Sequence, residues 1–274
     1  AEYLPTDPDA EVVIIPHDEL YAIPFAALVD ANEKPLIEKH TLSFSGSIEL
    51  YGLSAKRRGA AKELKYQDIL VVGNPKMPAY RYRPDKPASP LDPLPGAEAE
   101  AEAIAGLLGI KPLIGEAATE DTVQESMNNA PVIHLATHGL LESDNVFSQS
   151  YLSAIALSPT ENENGFLTVR EIMEMKLKAD LAVLSACDTG RGTITGEGVV
   201  GLSRAYLSAG VPSVIVSLWP VSDQATAVLM VNFYDGLKNG LGKSAALRRA
   251  TLINRERFTE PRLWAPFTLY GVGH

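Results

Sequence analysis

The residues best suited to chemistry are Cys187, which is the only cysteine in the chain, and His138. Each ends an apolar run, ADLAVLSAC before Asp188 and APVIHLATH before Gly139, and such runs bounded by turn formers are typical of buried strands. A free thiol is mostly protonated at neutral pH, and its thiolate is the nucleophile. A histidine within hydrogen-bond reach can accept that proton and later protonate a leaving amine. The pair therefore predicts nucleophilic acyl transfer.

The spacing of the two residues agrees with this chemistry, because His138 precedes Cys187 by about fifty positions, as in one class of cysteine peptidases. In an open α/β fold both strands deliver their last residues to the same edge of the sheet. An acyl-transfer site also needs N–H donors for the oxyanion, and we assign these to the backbones of Gly139 and Cys187. The alternative is a buried structural cysteine and a histidine that only caps a strand.

Apolar runs alternate with helical patterns along most of the chain, and this alternation predicts an α/β fold with a largely parallel sheet covered by helices on both faces. We expect one domain over residues 1–274, with 1–67 as N-terminal strands and lead-in and 68–274 as the core that carries the site. Within the lead-in, residues 11–29 are predicted as two short strands around a turn, and residues 41–53 as irregular.

Composition limits the class of function. The net charge of -10 and the pI near 5.0 argue against nucleic acid as the ligand. One cysteine cannot form an internal disulfide, so we expect a reducing, cytoplasmic setting. No apolar stretch is long enough to span a bilayer, and we expect no membrane partner. The chain begins at Ala1 without methionine, which fits a fragment or a processed product.

Several motifs together resemble the CHAT domain, a family of caspase-like peptidases related to caspases, gingipains and separase. They are VIIPHDELYAIPFAAL, LPGAEAEAEAIAGLL, HLATHG, LSACDTG and GEGVVGLSRAYLSAGVPSVIVSLWPVSDQAT, and they run in order from about residue 11 to the C-terminus. The resemblance implies a caspase-like three-layer sandwich and a Cys–His dyad carried by Cys187 and His138. It also implies that a helical-repeat region, often tetratricopeptide-like, precedes the domain as a regulatory region or partner.

The resemblance suggests a substrate preference as well. Asp223, in LWPVSDQAT, resembles the acidic residue with which separase selects arginine at P1, and a carboxylate would pair with a basic P1 side chain. The alternative is that Asp223 or Ser222 caps the following helix. Trp219 could form a pocket wall or belong to the core, and Asp188 could face the pocket or only form a turn.

Two weaker motifs have simpler interpretations. His134 and His138 have a spacing that suits metal ligands on a helix, but they lie on a predicted strand without a completing carboxylate. We interpret His134 as a core histidine and expect no metal. Residues 196–201 spell GxGxxG, yet they lie about ten residues past the preceding strand, and no acidic residue ends the next one. We therefore expect no nucleotide cofactor.

The sequence thus predicts a cysteine endopeptidase that acts on protein or peptide substrates and prefers a basic P1 residue. One alternative is a scaffold or interaction module that keeps the fold without the chemistry. Another is a latent peptidase, because residues 188–198 are rich in glycine and threonine and could be ordered by a repeat region or a bound partner.

Overall fold

The computed structural model describes residues 4–7, 10–58, 66–81, 85–140, 153–185 and 196–274. The strands are β1 (Glu11–Ile14), β2 (Thr41–Phe44), β3 (Leu70–Pro75), β4 (Ala79–Tyr80), β5 (Ser89–Pro90), β6 (Leu113–Gly115), β7 (Val132–Ala136), β8 (Gly139–Leu140), β9 (Ala154–Ala156), β10 (Phe166–Thr168), β11 (Leu181–Leu184), β12 (Ser213–Ser217) and β13 (Phe267–Gly271). The helices are α1 (Leu36–Lys39), α2 (Ile48–Arg58), α3 (Pro95–Leu108), α4 (Glu120–Met127), α5 (Val169–Glu174), α6 (Gly196–Ala209), α7 (Asp223–Lys238), α8 (Lys243–Arg257) and α9 (Pro261–Trp264). Among the described residues, none of these helices is long and apolar enough to cross a membrane.

One sheet organises the molecule. Its strand order is β1-β2-β13-β12-β11-β7-β3-β6, and every neighbouring pair is parallel except β12 with β13. The strands from β12 to β6 therefore share one direction, and their carboxyl ends lie along one edge. The prediction of a mostly parallel sheet is confirmed. A small antiparallel sheet, β10-β9-β8, follows β7 in the chain.

Helices cover the sheet on both faces, which confirms the three-layer sandwich. Alternate residues of β11 enter different cores: Leu181 and Val183 pack with α3, α7 and α8, whereas Ala182 and Leu184 pack with α4, α5 and α6. A strand that is buried on both faces must be apolar throughout, as β11 is. The continuous apolar runs of the sequence reflect this double burial.

The carboxyl edge has a switch point between β3 and β7. The helix after β3, α3, packs on one face of the sheet, whereas α5, the next described helix after β7, packs on the other. Open α/β sheets bind ligands in the crevice that forms where the chain diverges in this way. Gly73 lets α3 approach closely, because a Cβ there would lie only 2.4 Å from Ala101 Cβ and 2.7 Å from the Ala97 carbonyl oxygen.

The N-terminal segment differs from the prediction. Residues 11–29 contain β1 followed by two 3₁₀ turns, Asp18–Ala22 and Phe25–Ala27, so the second predicted strand is wrong. The irregular prediction for 41–53 is also wrong, because β2 and the start of α2 occupy it. Pro16 and Pro24 flank the 3₁₀ segments, where a missing N–H costs little. The pairing of β1 with β2 is non-local, and no local pattern reveals it.

Glu120 begins α4 as a buried carboxyl, only 2 % exposed. Burial, together with the nearby carboxylates of Glu171, Glu163 and Asp121, raises its pKa to about 7. A carboxyl with a raised pKa in the fold favours folding while it is protonated. This contribution is complete below its ordinary pKa of about 4.5 and is lost as the pH rises through about 7.

We therefore expect Glu120→Gln to change the melting temperature little at pH 5 and to raise it by at least about 2 °C at pH 8. Calorimetry across this pH range measures the difference. The exposed Glu102 on α3 supplies the control, because Glu102→Gln should shift the melting temperature equally at both pH values. A Glu120→Gln difference that does not change with pH would contradict the account.

Candidate active site

His138 lies two residues beyond β7 and is only 6 % exposed. Its Nε2 atom is 2.7 Å from the carbonyl oxygen of Asp92. A carbonyl can only accept, so Nε2 carries the hydrogen and donates it. In the neutral ring Nδ1 is then the basic nitrogen. The Asp92 carbonyl thus does for this imidazole what a carboxylate does in a Ser–His–Asp triad: it fixes the tautomer and the ring orientation.

The chain segment that carries Asp92 is itself anchored. Leu91 is buried, and its N–H donates to the Pro78 carbonyl at 3.0 Å. Three residues after Asp92, α3 begins at Pro95. Sequence analysis did not single out Asp92, because a backbone carbonyl has no residue-type signature. The one sequence signal in this region is that residues 76–95 are rich in proline and too long for a simple turn.

Gly139 begins β8 opposite Ile155 of β9. The neighbouring pair is hydrogen bonded, since the Ala156 N–H donates to the His138 carbonyl at 2.9 Å. In an antiparallel ladder hydrogen-bonded and non-hydrogen-bonded pairs alternate. Gly139 is therefore at a non-hydrogen-bonded position, and its N–H points away from β9.

The strand that leads to Cys187 lies directly beside the histidine strand. Leu184 of β11 pairs with Leu135 of β7, and the Ser185 N–H extends the ladder to the Leu135 carbonyl at 3.0 Å. Positions 187 and 138 each follow these paired leucines by three residues. Cys187 and Asp188 themselves lie outside the described residues.

Asp223 is the exposed first residue of α7. Ser222 occupies the N-cap position, and its side chain makes no capping hydrogen bond. The Asp223 side chain packs on the first turn of α3, because a Cβ at Gly96 would lie 2.1 Å from Asp223 Cγ. Gly96 is four residues from Asp92, the partner of His138. His138 and Asp223 therefore contact the two ends of the segment from Asp92 to Gly96.

Trp219 lies between β12 and α7 and is partly buried against the core that contains α6. Its indole N–H donates to the Arg262 carbonyl at 2.9 Å, which ties the segment after β12 to α9. The neighbouring Leu218 N–H donates to the Pro266 carbonyl at 2.8 Å. Trp219 thus has both a packing role and a partly open surface near the carboxyl edge.

His134 belongs to β7 and is fully buried on the face of the sheet that α3 and α7 cover. Its Nε2 lies 3.0 Å from Glu100 Oε1, and its Nδ1 lies 3.1 Å from the Tyr234 hydroxyl. Burial, with the nearby Glu100 carboxylate, raises the pKa of Tyr234 well above its usual range. The interpretation of His134 as a core histidine is confirmed. Among the described residues, no cluster of three or more His, Cys, Asp or Glu side chains could hold a metal ion.

Comparison with known proteins gives the family. The sequence profile of the CHAT domain matches residues 4–272. Tetratricopeptide repeat protein 28 of Mus musculus is 30% identical over 302 aligned residues, covering 95% of this chain, and the Homo sapiens protein is 29% identical over the same share. This chain spans only 12% of the length of those relatives.

Solved structures share the fold at low sequence identity. The Arg specific cysteine proteinase gingipain R has a TM-score of 0.58 and 10% identity, covering 94% of this chain and 59% of that one. Separase from Saccharomyces cerevisiae, in complex with securin, has a TM-score of 0.56 and 14% identity, covering 92% of this chain and 14% of that one. At these identities the likeness concerns the fold alone, and it shows that this chain has a caspase-like fold.

Proposed function

Since this chain belongs to the CHAT domain family, we propose that it is a caspase-like cysteine endopeptidase domain in which Cys187 is the nucleophile and His138 is the general base. The observation that carries the proposal is the 2.7 Å contact between His138 Nε2 and the Asp92 carbonyl. This contact makes Nδ1 the basic nitrogen at the carboxyl edge of the sheet. Residues 1–67 contribute β1 and β2 to the same sheet as the later strands, which supports a single domain over 1–274.

The reach of the chain supports the pairing. Cys187 is two residues beyond Ser185, whose N–H is fixed to β7, and two residues span at most about 7 Å. Leu184 and Leu135 stand side by side in the ladder, and each is three residues from its member of the dyad. Because the two chains extend equally far beyond these paired leucines, the thiol and the imidazole can lie close together.

The proposed reaction follows from these positions. His138 Nδ1 takes the thiol proton as Cys187 Sγ attacks the scissile carbonyl carbon. The oxyanion that forms accepts hydrogen bonds from the backbone N–H groups of Gly139 and Cys187. The imidazolium then gives its proton to the leaving amine as the C–N bond breaks, and a thioester remains. A water molecule, deprotonated by His138, hydrolyses the thioester and regenerates the thiol.

We assign substrate recognition to Asp223, with Asp188 and Trp219 as further contacts of the P1 side chain. Asp223 is exposed, and its side chain contacts Gly96, which lies four residues after the Asp92 carbonyl that accepts from His138. An exposed carboxylate beside the scissile bond favours a basic P1 residue through charge-assisted hydrogen bonds. One protein of the same fold, gingipain R, is named an Arg specific proteinase.

We also propose that a helical-repeat region, attached or as a partner, regulates the site. The relatives that match this chain are tetratricopeptide repeat proteins, of which it spans 12%. Residues 188–195 of the segment in which we expect this switch lie outside the described residues, whereas residues 196–198 already belong to α6. A repeat region that acts on this segment would switch on a latent peptidase. The single cysteine fits a reducing, cytoplasmic setting.

The dyad is tested with a peptide acyloxymethyl ketone that carries arginine at P1. Intact-mass analysis should show one adduct, on Cys187, and none on Cys187→Ala. We expect His138→Ala to react at least about a hundredfold more slowly, because the base that activates the thiol is gone. Equal rates for His138→Ala and the native chain would contradict the dyad. Reaction only when a repeat region is attached would indicate latency, and no reaction in either form would indicate a scaffold.

The specificity assignment has its own test. We expect Asp223→Asn to slow labelling by the P1-arginine ketone at least about tenfold and to leave labelling by the P1-alanine ketone unchanged, because only the charge pair is lost. Asp121→Asn is the matched control, since Asp121 is also an exposed aspartate in the first turn of a helix, α4. Equal slowing of both ketones, or an equal effect of the control, would refute the role of Asp223.

A further inference from the structure

We propose that Asn74 is the positioning residue of this site: its side-chain amide holds the segment from Asp92 to Glu98 and thereby sets both the tautomer of His138 and the place of Asp223. This inference rests on the proposed function for its catalytic meaning. Asn74 lies at the carboxyl end of β3, beside the strand that carries His138. It therefore stands at the switch point of the sheet.

Both functional groups of the Asn74 amide are engaged. Its Oδ1 accepts the Leu94 N–H at 2.7 Å, and its Nδ2 donates to Glu98 Oε2 at 2.8 Å. These partners fix which way the amide faces, because a backbone N–H can only donate and a carboxylate can only accept. One side chain thus restrains the last residue before α3 and the first turn of that helix together.

The backbone explains why asparagine stands here. Asn74 has φ of 43°, in the left-handed region, and the pairing of β3 with β6 shifts register between Gly73 and Pro75. Apart from glycine, asparagine and aspartate adopt this conformation most readily. Glycine would fit the backbone but has no side chain, and aspartate would place a second carboxylate against Glu98. Asparagine alone meets the conformational and the hydrogen-bonding requirements.

The restrained segment carries the groups that matter to the reaction. Asp92 is two residues before Leu94, and its carbonyl accepts from His138 Nε2. Gly96 lies between Leu94 and Glu98, and it contacts the Asp223 side chain. Holding both ends of residues 94–98 therefore limits how far the histidine acceptor can drift. The same restraint fixes the surface on which Asp223 rests.

The matched substitutions separate the side chain from the backbone. Asn74→Gly keeps the left-handed backbone and removes both hydrogen bonds. Asn74→Asp keeps the acceptor for Leu94 but repels Glu98. Combining Asn74→Asp with Glu98→Gln reverses donor and acceptor in that pair and restores both bonds. Asn239→Ala is the control, because Asn239 also donates from its side-chain amide, to Asp235, but at the far end of α7.

The first readout is the His138 imidazole in ¹⁵N-histidine NMR, assigned with His138→Ala. In the native chain we expect a slowly exchanging Nε2–H and a single tautomer. Asn74→Gly should speed that exchange at least about tenfold, while the double substitution and Asn239→Ala stay within about twofold of native. If Asn74 only stabilised the fold, Asn74→Gly would lower the free energy of unfolding without a specific effect on the exchange of the His138 Nε2–H. Exchange unchanged in Asn74→Gly would overturn the inference.

The second readout is labelling by the P1-arginine and P1-alanine ketones. We expect Asn74→Gly to slow both and to reduce the arginine-to-alanine ratio at least about threefold, with recovery in the double substitution. If Asn74→Gly speeds the exchange of the His138 Nε2–H but neither ketone labels the native chain, the positioning role is supported and the peptidase function is not. Normal labelling and selectivity in Asn74→Gly would overturn the inference and leave the peptidase standing.

Discussion

The parallel register of β7 with β11 is the constraint on which the rest of the site depends. Leu135 and Leu184 are fixed side by side by ladder hydrogen bonds, which extend to Ser185 at 3.0 Å. A slip by one residue would turn every side chain of these doubly buried strands to the wrong core. The two apolar layers therefore lock the register, and the register determines which residues reach the carboxyl edge together.

A second level of organisation comes from backbone atoms rather than side chains. The Asp92 carbonyl orients His138, the Gly139 N–H points away from β9, and Gly96 provides the surface for Asp223. Backbone groups are well suited to this purpose, because they have no rotamers to lose and are already held by neighbouring secondary structure. The proline-rich residues 76–95 before α3 thus position a residue of the candidate site, because their Asp92 carbonyl contacts His138.

Part of this arrangement could be predicted from sequence. Doubly buried strands have continuous apolar runs, so the sequence predicts β7 and β11, and the parallel arrangement predicts that their carboxyl ends lie at one edge of the sheet. The addition of β1 and β2 to the sheet could not be predicted, because it depends on the long-range parallel pairing of β2 with β13, a strand that is itself antiparallel to β12. Asp92 and Asn74 could not be predicted as site residues. Asp92 contacts His138 through its backbone carbonyl, and Asn74 lies in a short GNP sequence that has no functional signature. The residue type indicates what chemistry a side chain can do, but it does not indicate which backbone atom that side chain contacts in the fold.

The pH dependence of iodoacetamide alkylation measures whether His138 activates Cys187. The chain has one cysteine, so the rate reports a single thiol. We expect the native thiol to stay reactive well below pH 8, and we expect His138→Ala to move the midpoint of the alkylation profile up towards the ordinary thiol value of about 8.5. The same midpoint in both proteins would contradict the dyad.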